Sequence, residues 1–420
     1  MNLVTFKYCD EFHCTGPECP DHCCKEWNIL LGKRKYLDYK KVNCSPELKK
    51  TIEITFERVR DHEKKGLRYD EKTNYAKIRF NEKNECPLHG EDGLCMLQKE
   101  LGEKALCNTC DIFPRLYGAV GSDTIIFSLN ITCSHVVEIL MNHPEGLEIS
   151  EKETDSVHHI VKRGFYGISP TSKIWEGFSQ YWTIKSAQID ILQNHNFTIP
   201  ERLLVLGFFS KKADEYIVAG HVNKIESLYK MILDNEFFDS VASSLKTSQT
   251  DEESALKSVN EFVKMYRSVK EENVLTPCLK FYEQAAKSID VNYENTISDS
   301  HFGFKFTYSL EKYLRSIGIF RGIEADRGYI FENILVNLIF VAPPHKGLFN
   351  SFFELAIFYN ILKISLPSFL NEDWNDTDLA VAVSKSAKMV VNARMPEMVS
   401  RKDLEDHNSF DLPHIAFLIN

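Results

Sequence analysis

Eleven of the twelve cysteines in this 420-residue chain fall within its first 133 residues. They are Cys9, Cys14, Cys19, Cys23, Cys24, Cys44, Cys86, Cys95, Cys107, Cys110 and Cys133; Cys278 alone lies outside. A region so dense in thiols either closes with disulfides or wraps an inorganic centre. The opening MNLVTFKYCDEFHC has no apolar core segment and no small-residue cleavage site. It predicts no secretory signal and a cytoplasmic protein, where disulfides are disfavoured and metal or redox chemistry is the better reading.

The thiols form four groups: Cys14-x4-Cys19-x3-Cys23-Cys24, Cys86-x8-Cys95, Cys107-x2-Cys110, and Cys133. Short loops with such spacings bring thiolates together without burying unpaired backbone groups. A bound cation lowers thiol pKa, and its binding energy becomes folding energy. The bland reading is that these are buried thiols packed as small hydrophobes. Their charged, Gly and Pro neighbours run against it, so the nine are candidate metal ligands; Cys9 and Cys44 are spare. Nine exceeds the four that one zinc or one cubane takes, so either two centres exist or some thiols do not ligate. All-thiolate ligation suits zinc or iron–sulfur and excludes magnesium and calcium. His13, His22 and His89 are possible replacements for a thiolate, but the surplus of cysteine runs against each.

The formal charge of −10 excludes general nucleic-acid binding, which needs a basic surface. The most apolar stretch, Tyr329–Leu370, is interrupted by Glu332, Lys346, Glu354 and Lys363. It contains no run of about 18 uncharged apolar residues, so no membrane span is expected.

Residues 1–30 lack periodicity and suit a loop around an inorganic centre. Lys33–Val42, Pro46–Lys65 and Met96–Leu106 read as helices. Leu67–Phe80 reads as a hairpin around Asp70–Asn74, Cys86–Cys95 as a tight turn, and Arg115–Ala119 with Thr124–Leu129 as a second hairpin around Gly121–Asp123. His143–Thr154 is polar and marks a boundary. Beyond Pro170 the pattern is helical in nearly every window, as in Trp175–Leu192, Ile199–Phe209, Lys211–Asn235 and Glu252–Lys270. The expected fold is mainly α: a small irregular α+β cysteine-rich metal-binding domain over 1–145, then a larger all-helical domain over 156–420.

The stretches FHCTGPECPDHCCKEWNI (Phe12–Ile29), CPLHGEDGLCMLQKELGEKALCNTCDIFPRLYG (Cys86–Gly118) and SLNITC (Ser128–Cys133) resemble the flagellin lysine-N-methylase family. The amino-terminal part of that family is related to a broader cysteine-cluster domain that chelates zinc or iron. The spaced cysteines ending in a vicinal pair and a tryptophan correspond to Cys14, Cys19, Cys23, Cys24 and Trp27. The Cys-Pro, Gly-Leu-Cys and Cys-x3-Pro-Arg elements fall on Cys86–Pro87, Gly93–Cys95 and Cys110–Arg115. The helical remainder matches loosely, in Tyr329–Leu362 and Asp406-His407-Asn408. The family usually follows its last cysteine with Pro-Glu; here Ser134-His135 follow Cys133. Membership implies methyl transfer from S-adenosylmethionine to lysine side chains of flagellin. The cofactor it implies is an iron–sulfur cluster, 4Fe-4S first, with zinc as the alternative.

The motifs do not themselves show that reaction. No Gly-x-Gly-x-x-Gly lies between a strand and a helix, and the Cys-x3-Cys-x2-Cys of radical S-adenosylmethionine enzymes is missing, because Cys19-x3-Cys23 runs into Cys24. Arg115 is a candidate clamp for the donor's carboxylate, although pairing with a local acid or a thiolate cluster is commoner. Trp27 is a candidate adenine contact, with shielding of the centre the commoner role. Asp21 and Glu26 are candidate bases against a default of solvated carboxylates, and Asp406-His407-Asn408 is equally a helix cap; no catalytic residue is identified. Two alternatives to the methyltransferase stand: a non-catalytic metal or iron–sulfur protein, and an iron–sulfur oxidoreductase.

Overall fold

The computed structural model describes residues 2–25, 29–60, 70–121, 123–154, 179–245, 251–271, 278–298, 301–342, 347–391 and 412–419. Its strands are β1 (Asn2–Phe6), β2 (Leu30–Leu31), β3 (Phe56–Arg58), β4 (Ala76–Ile78), β5 (Arg115–Val120), β6 (Thr124–Leu129), β7 (Ile149–Glu153), β8 (Asn292–Ser298) and β9 (His301–Thr307). The helices of the first third are α1 (Lys33–Lys41), α2 (Pro46–Thr55), α3 (Met96–Leu101), α4 (Asn108–Ile112) and α5 (Ser134–Met141). Those that follow are α6 (Tyr181–Leu192), α7 (Ile199–Val218), α8 (Lys224–Ile232), α9 (Asn235–Leu245), α10 (Asp251–Glu271), α11 (Leu279–Ser288), α12 (Leu310–Val341), α13 (Leu348–Phe369), α14 (Asp376–Val391) and α15 (Leu412–Ile419). The fold is mainly α, with a small α+β region ahead of a helical one, as the sequence predicts.

The opening residues are not all loop. Strand β1 sits inside a four-stranded sheet ordered β5-β6-β1-β7, parallel to β6 and antiparallel to β7. Five residues, Asn-Leu-Val-Thr-Phe, carry too little alternation to reveal a strand whose partners lie more than a hundred positions away. The expected β5–β6 hairpin forms, with Val120 opposite Thr124 around Gly121 at φ 68°. Helix α2 is shorter than predicted: from Phe56 the chain becomes β3, which pairs with β4. Strand β4 also pairs with β2 rather than closing a local hairpin. The Asp70–Asn74 turn is present, with the Asn74 N–H donating to the Asp70 carbonyl at 2.8 Å. Residues 67–69, the other arm of that predicted hairpin, lie outside the described residues.

Farther on, helices predicted as Ile199–Phe209 and Lys211–Asn235 divide differently. A capping box of Thr198 and Glu201 starts α7, which runs unbroken to Val218. Gly220, at φ 71°, then separates it from α8. One hairpin, β8–β9, interrupts the helices. Its second strand, HFGFKFT, has the period-two aromatic pattern that marks a strand within an otherwise helical stretch.

Two hydrophobic cores result. In the larger, Phe6, Tyr8, Ile126, Leu129, Val136 and Leu140 join the buried faces of the helices, so apolar contacts continue across the 145–156 stretch. Helix α12 makes the join. Phe340 packs on Phe6 with ring centroids 4.6 Å apart. Asn337 accepts from the Tyr8 hydroxyl at 2.6 Å and donates to Leu129 O at 2.9 Å. Asn333 donates to Leu140 O and His143 O at 3.0 and 2.8 Å. At the carboxy end of α12 the buried Lys185 side-chain amine donates to Ile339 O and Ala342 O at 2.5 and 3.0 Å, meeting carbonyls of the last turn. Helix α13 is long and apolar enough by length and composition to cross a bilayer, but 83% of its apolar window is buried among its neighbours. The smaller core gathers Ile29, Leu31, Tyr39, Leu48, Ile52, Phe56, Ile78 and Leu97 around Cys86 and Cys107.

Candidate metal centre

The loop carrying Cys19, Cys23 and Cys24 is held against the Cys86–Cys95 turn from both ends. At one end the Cys86 N–H donates to Cys24 O at 2.7 Å, and Lys25 bridges to Glu85. At the other, Gly93 at φ 76° lies so close to Pro17 that a Cβ there would stand 3.0 Å from Pro17 Cα. The Gly-Leu-Cys element therefore needs its glycine twice, for backbone conformation and for close approach. Within the turn the His89 N–H reaches Cys86 O at 2.9 Å and the Met96 N–H reaches Leu88 O at 2.8 Å, which sets Cys95 opposite His89.

Three thiols occupy equivalent places: Cys95, Cys107 and Cys133 are the residues immediately before α3, α4 and α5. Main-chain amides two and three residues further on favour ionisation of each sulfur: Leu97 and Gln98 for Cys95, Thr109 and Cys110 for Cys107, His135 and Val136 for Cys133. The amides of Leu88 and Asp21 act likewise on Cys86 and Cys19. Five sulfurs thus have main-chain dipoles nearby that favour thiolate over thiol.

Burial works against ionisation. It pushes Cys86 and Cys133 up to about 12 and raises Cys95 and Cys19. The neighbouring Cys24 pushes Cys23 well up. Cys107 and Cys110, with Sγ atoms 3.5 Å apart, share a proton, which lowers Cys107 to about 7 and lifts Cys110 well above the ordinary thiol range. Mutual repulsion defines the group: Cys86 feels Cys95, Cys107 and Cys23, Cys110 feels Cys23 and Cys24, and Cys133 feels Cys19 and Cys23. Eight of the nine candidate thiols therefore share one neighbourhood, with Cys23 common to both halves. Cys14 is exposed at the start of the loop. Cys23 and Cys110 are exposed. Thiols in one neighbourhood beside amide dipoles suit a cationic centre by their chemistry, but among the described residues only His22, Cys24 and His89 bring three ligand atoms within 4.8 Å of one another.

Imidazoles belong to the same region. The His22 and His89 rings stack with centroids 4.0 Å apart, and their ligating atoms lie within 4.8 Å of each other and of Cys24 Sγ. Burial, with repulsion from His89 and Lys25, lowers the His22 pKa and favours the neutral, ligating form. Histidine spacing alone could not reveal this, because the contact depends on how two loops pair.

Asp21 is not a solvated loop carboxylate. It is 4% exposed, and its Oδ2 lies 2.5 Å from the ammonium of Lys388 on α14, itself 1% exposed. Burial alone would raise its pKa, but Lys388 and Lys25 outweigh that and hold it below the usual range. An acid locked in this way makes a poor base; it pins the thiol loop to the helical region. The charge of Lys388 also favours the Cys23 thiolate. Nothing in the sequence marks Lys388, a lysine on the buried face of a distant helix. Arg115 places its guanidinium 5.7 Å from the Phe12 ring, which in turn lies 6.0 Å from the His135 ring, beside residues that flank Cys14 and Cys133. Trp27, Glu26 and Asp406-His407-Asn408 lie outside the described residues.

Comparison with known proteins extends the assignment into the helical region. A family model described as FliB lysine N-methylase C-terminal domain matches residues 185–418, the part whose likeness is loose by motif alone. The flagellar biosynthetic protein FliU of Salmonella muenchen is 33% identical over 158 residues, 37% of this chain and 85% of that protein. Lysine-N-methylases of Salmonella typhimurium and Salmonella choleraesuis are each 34% identical over 145 residues, 34% of this chain and 33% of theirs. The chain thus aligns with about a third of the length of those two methylases. No solved structure matches. With more than half its length matched by that one model, the chain belongs to the FliB lysine N-methylase family.

Proposed function

We propose that this chain is a cytoplasmic protein-lysine N-methyltransferase that moves methyl groups from S-adenosylmethionine to lysine side chains of flagellin. The observation that carries the reading is the family match over residues 185–418, joined to relatives named lysine-N-methylase. The substrate follows from the flagellar name of the 33%-identical relative.

The reaction sets a definite physical demand. Only a neutral amine attacks the sulfonium methyl, and with a lysine pKa near 10.4 about one amine in 2,500 is neutral at pH 7. Supplying the neutral form costs about 4–5 kcal/mol, which desolvation or a base must offset while the amine is aligned with the donor. This chain already neutralises lysines by desolvation: burial lowers Lys185 and Lys363 to about 7. A substrate lysine drawn into a comparably dry site would lose its proton in the same way.

Cys19, Cys23, Cys86, Cys95, Cys107, Cys110 and Cys133 are the thiols that would hold an iron–sulfur or zinc centre. When bound, it supplies the positive charge that fixes thiolates and the loops bearing them. Amines need no radical activation to attack a methyl sulfonium, so we assign the centre a positioning role. Arg115, near those loops, remains the candidate clamp for the donor's carboxylate.

The test is anaerobic incubation of the purified chain with S-adenosylmethionine and flagellin, read by intact-mass and peptide spectrometry. The reading predicts increments of one methylene per methyl on flagellin lysines. Unmodified flagellin in a preparation that retains its metal would defeat it and favour a non-catalytic metal protein.

A further inference from the structure

The thiols outnumber what a single centre takes, and two imidazoles stand among them with nothing to do. Buried and without a hydrogen-bond partner among the described residues are His22 Nδ1 and His89 Nε2. Polar atoms removed from water and left unpaired are costly and rare in folded proteins. Both histidines belong to a set of three residues, with Cys24 the third, each offering one ligand atom within 4.8 Å of the others. The other nitrogen of His22, Nε2, lies 3.8 Å from Glu85 Oε1. That distance is a charge contact longer than a hydrogen bond, and a carboxylate closing on a ring nitrogen fixes tautomer and ring direction at metal-bound histidines. Backbone pairing holds the three in register, since Cys24 O accepts from Cys86 N–H and Lys25 bridges to Glu85.

We infer that His22, Cys24 and His89 hold a single divalent cation of the zinc class, at a site separate from the centre assigned to the remaining thiols. Two imidazoles and one thiolate form a borderline-soft donor set that zinc and cobalt prefer and magnesium and calcium do not. Ligand atoms around a tetrahedral zinc stand about 3–4 Å apart, so the three close slightly on binding. Three protein ligands leave one position of the tetrahedron for water or another small donor. Coordination takes the Cys24 sulfur as thiolate. The site does not depend on the methyl-transfer reading, which can fail while this one stands.

The full chain, stripped of divalent metal anaerobically, is titrated with cobalt(II) alone and followed by absorption, with iron, sulfide and cobalt determined at the end point. Wild type is expected to show a thiolate-to-cobalt charge-transfer band and tetrahedral ligand-field bands that saturate with one equivalent. His22→Gln with His89→Gln, which keeps side-chain volume, is expected to lose that equivalent while retaining wild-type iron and sulfide. Glu85→Gln is expected to weaken it by about ten- to a hundredfold. The inference is overturned if the double glutamine variant binds as much cobalt as wild type. It is equally overturned if that variant loses iron and sulfide together with cobalt, because the histidines would then belong to the thiol centre.

Discussion

The helical region and the thiol module are stabilised by different means. Around α12 and α13 the core is continuous and rich in large aliphatic and aromatic side chains, including Phe6, Phe320, Phe331, Phe340 and Phe352, with buried polar groups such as Asn333, Asn337 and Asn360 among them. At about 1.5–3 kcal/mol for each large apolar side chain removed from water, it needs no further device to offset chain entropy. The thiol module has thirteen buried core residues among those described, two of them cysteines, and its helices α3 and α4 are six and five residues long. Such short helices are marginal in water, and so small a core contributes little. On the proposed reading the module depends on a centre held by its sulfurs, whereas the helical region does not.

Metal removal is the strongest way to break that contrast. Structural zinc contributes about 10–16 kcal/mol to the folding of small cysteine modules, so chelation under reducing, anaerobic conditions should unfold the module. Hydrogen exchange should then show protection lost through β2, β4, α3 and α4 and retained in α12 and α13. Equal loss in both regions would show that they are stabilised alike.

The Asp21–Lys388 pair tests how the regions are joined. Removing one partner leaves a buried charge uncompensated and costs about 3–5 kcal/mol. Asp21→Asn and Lys388→Met should each lower the melting temperature, and the double variant should lose less than the sum of the two. Strict additivity would show that the two side chains act independently.

A pH dependence sharpens the contrast from the helical side. Desolvation lowers Lys185 from its ordinary value to about 7 in the folded chain. Between that value and about 10.4 the unfolded chain binds the extra proton, so stability from this group rises with pH; below pH 7 both states are protonated and the slope vanishes. Its contribution is about 1.4 kcal/mol per pH unit. Urea unfolding from pH 7 to 9.5 should show the slope in wild type and its reduction in Lys185→Met. Thr198→Ala is the smallest change: losing the capping box of α7 should cost about 1 kcal/mol with no effect on bound metal.

The difference also explains what the sequence reveals. Thiol spacing is local, so the Cys86–Cys95 turn, the Cys107–Cys110 pair and the β5–β6 hairpin are legible from short windows. Helical periodicity shows the class of the rest. Contacts made across sequence distance are not legible: β1 pairs with β6, Asp21 with Lys388, and His22 stacks on His89. Each depends on the packing of remote elements, which leaves no pattern in either partner alone.

The most direct test of the central claim is iron, zinc and sulfide analysis of the anaerobically purified chain, with its absorption spectrum, beside Cys86→Ser and Cys107→Ser. Tightly held metal in wild type, lost in both variants with the helical region still folded, is the predicted result. A wild-type chain that carries no metal yet keeps the thiol module folded would contradict it.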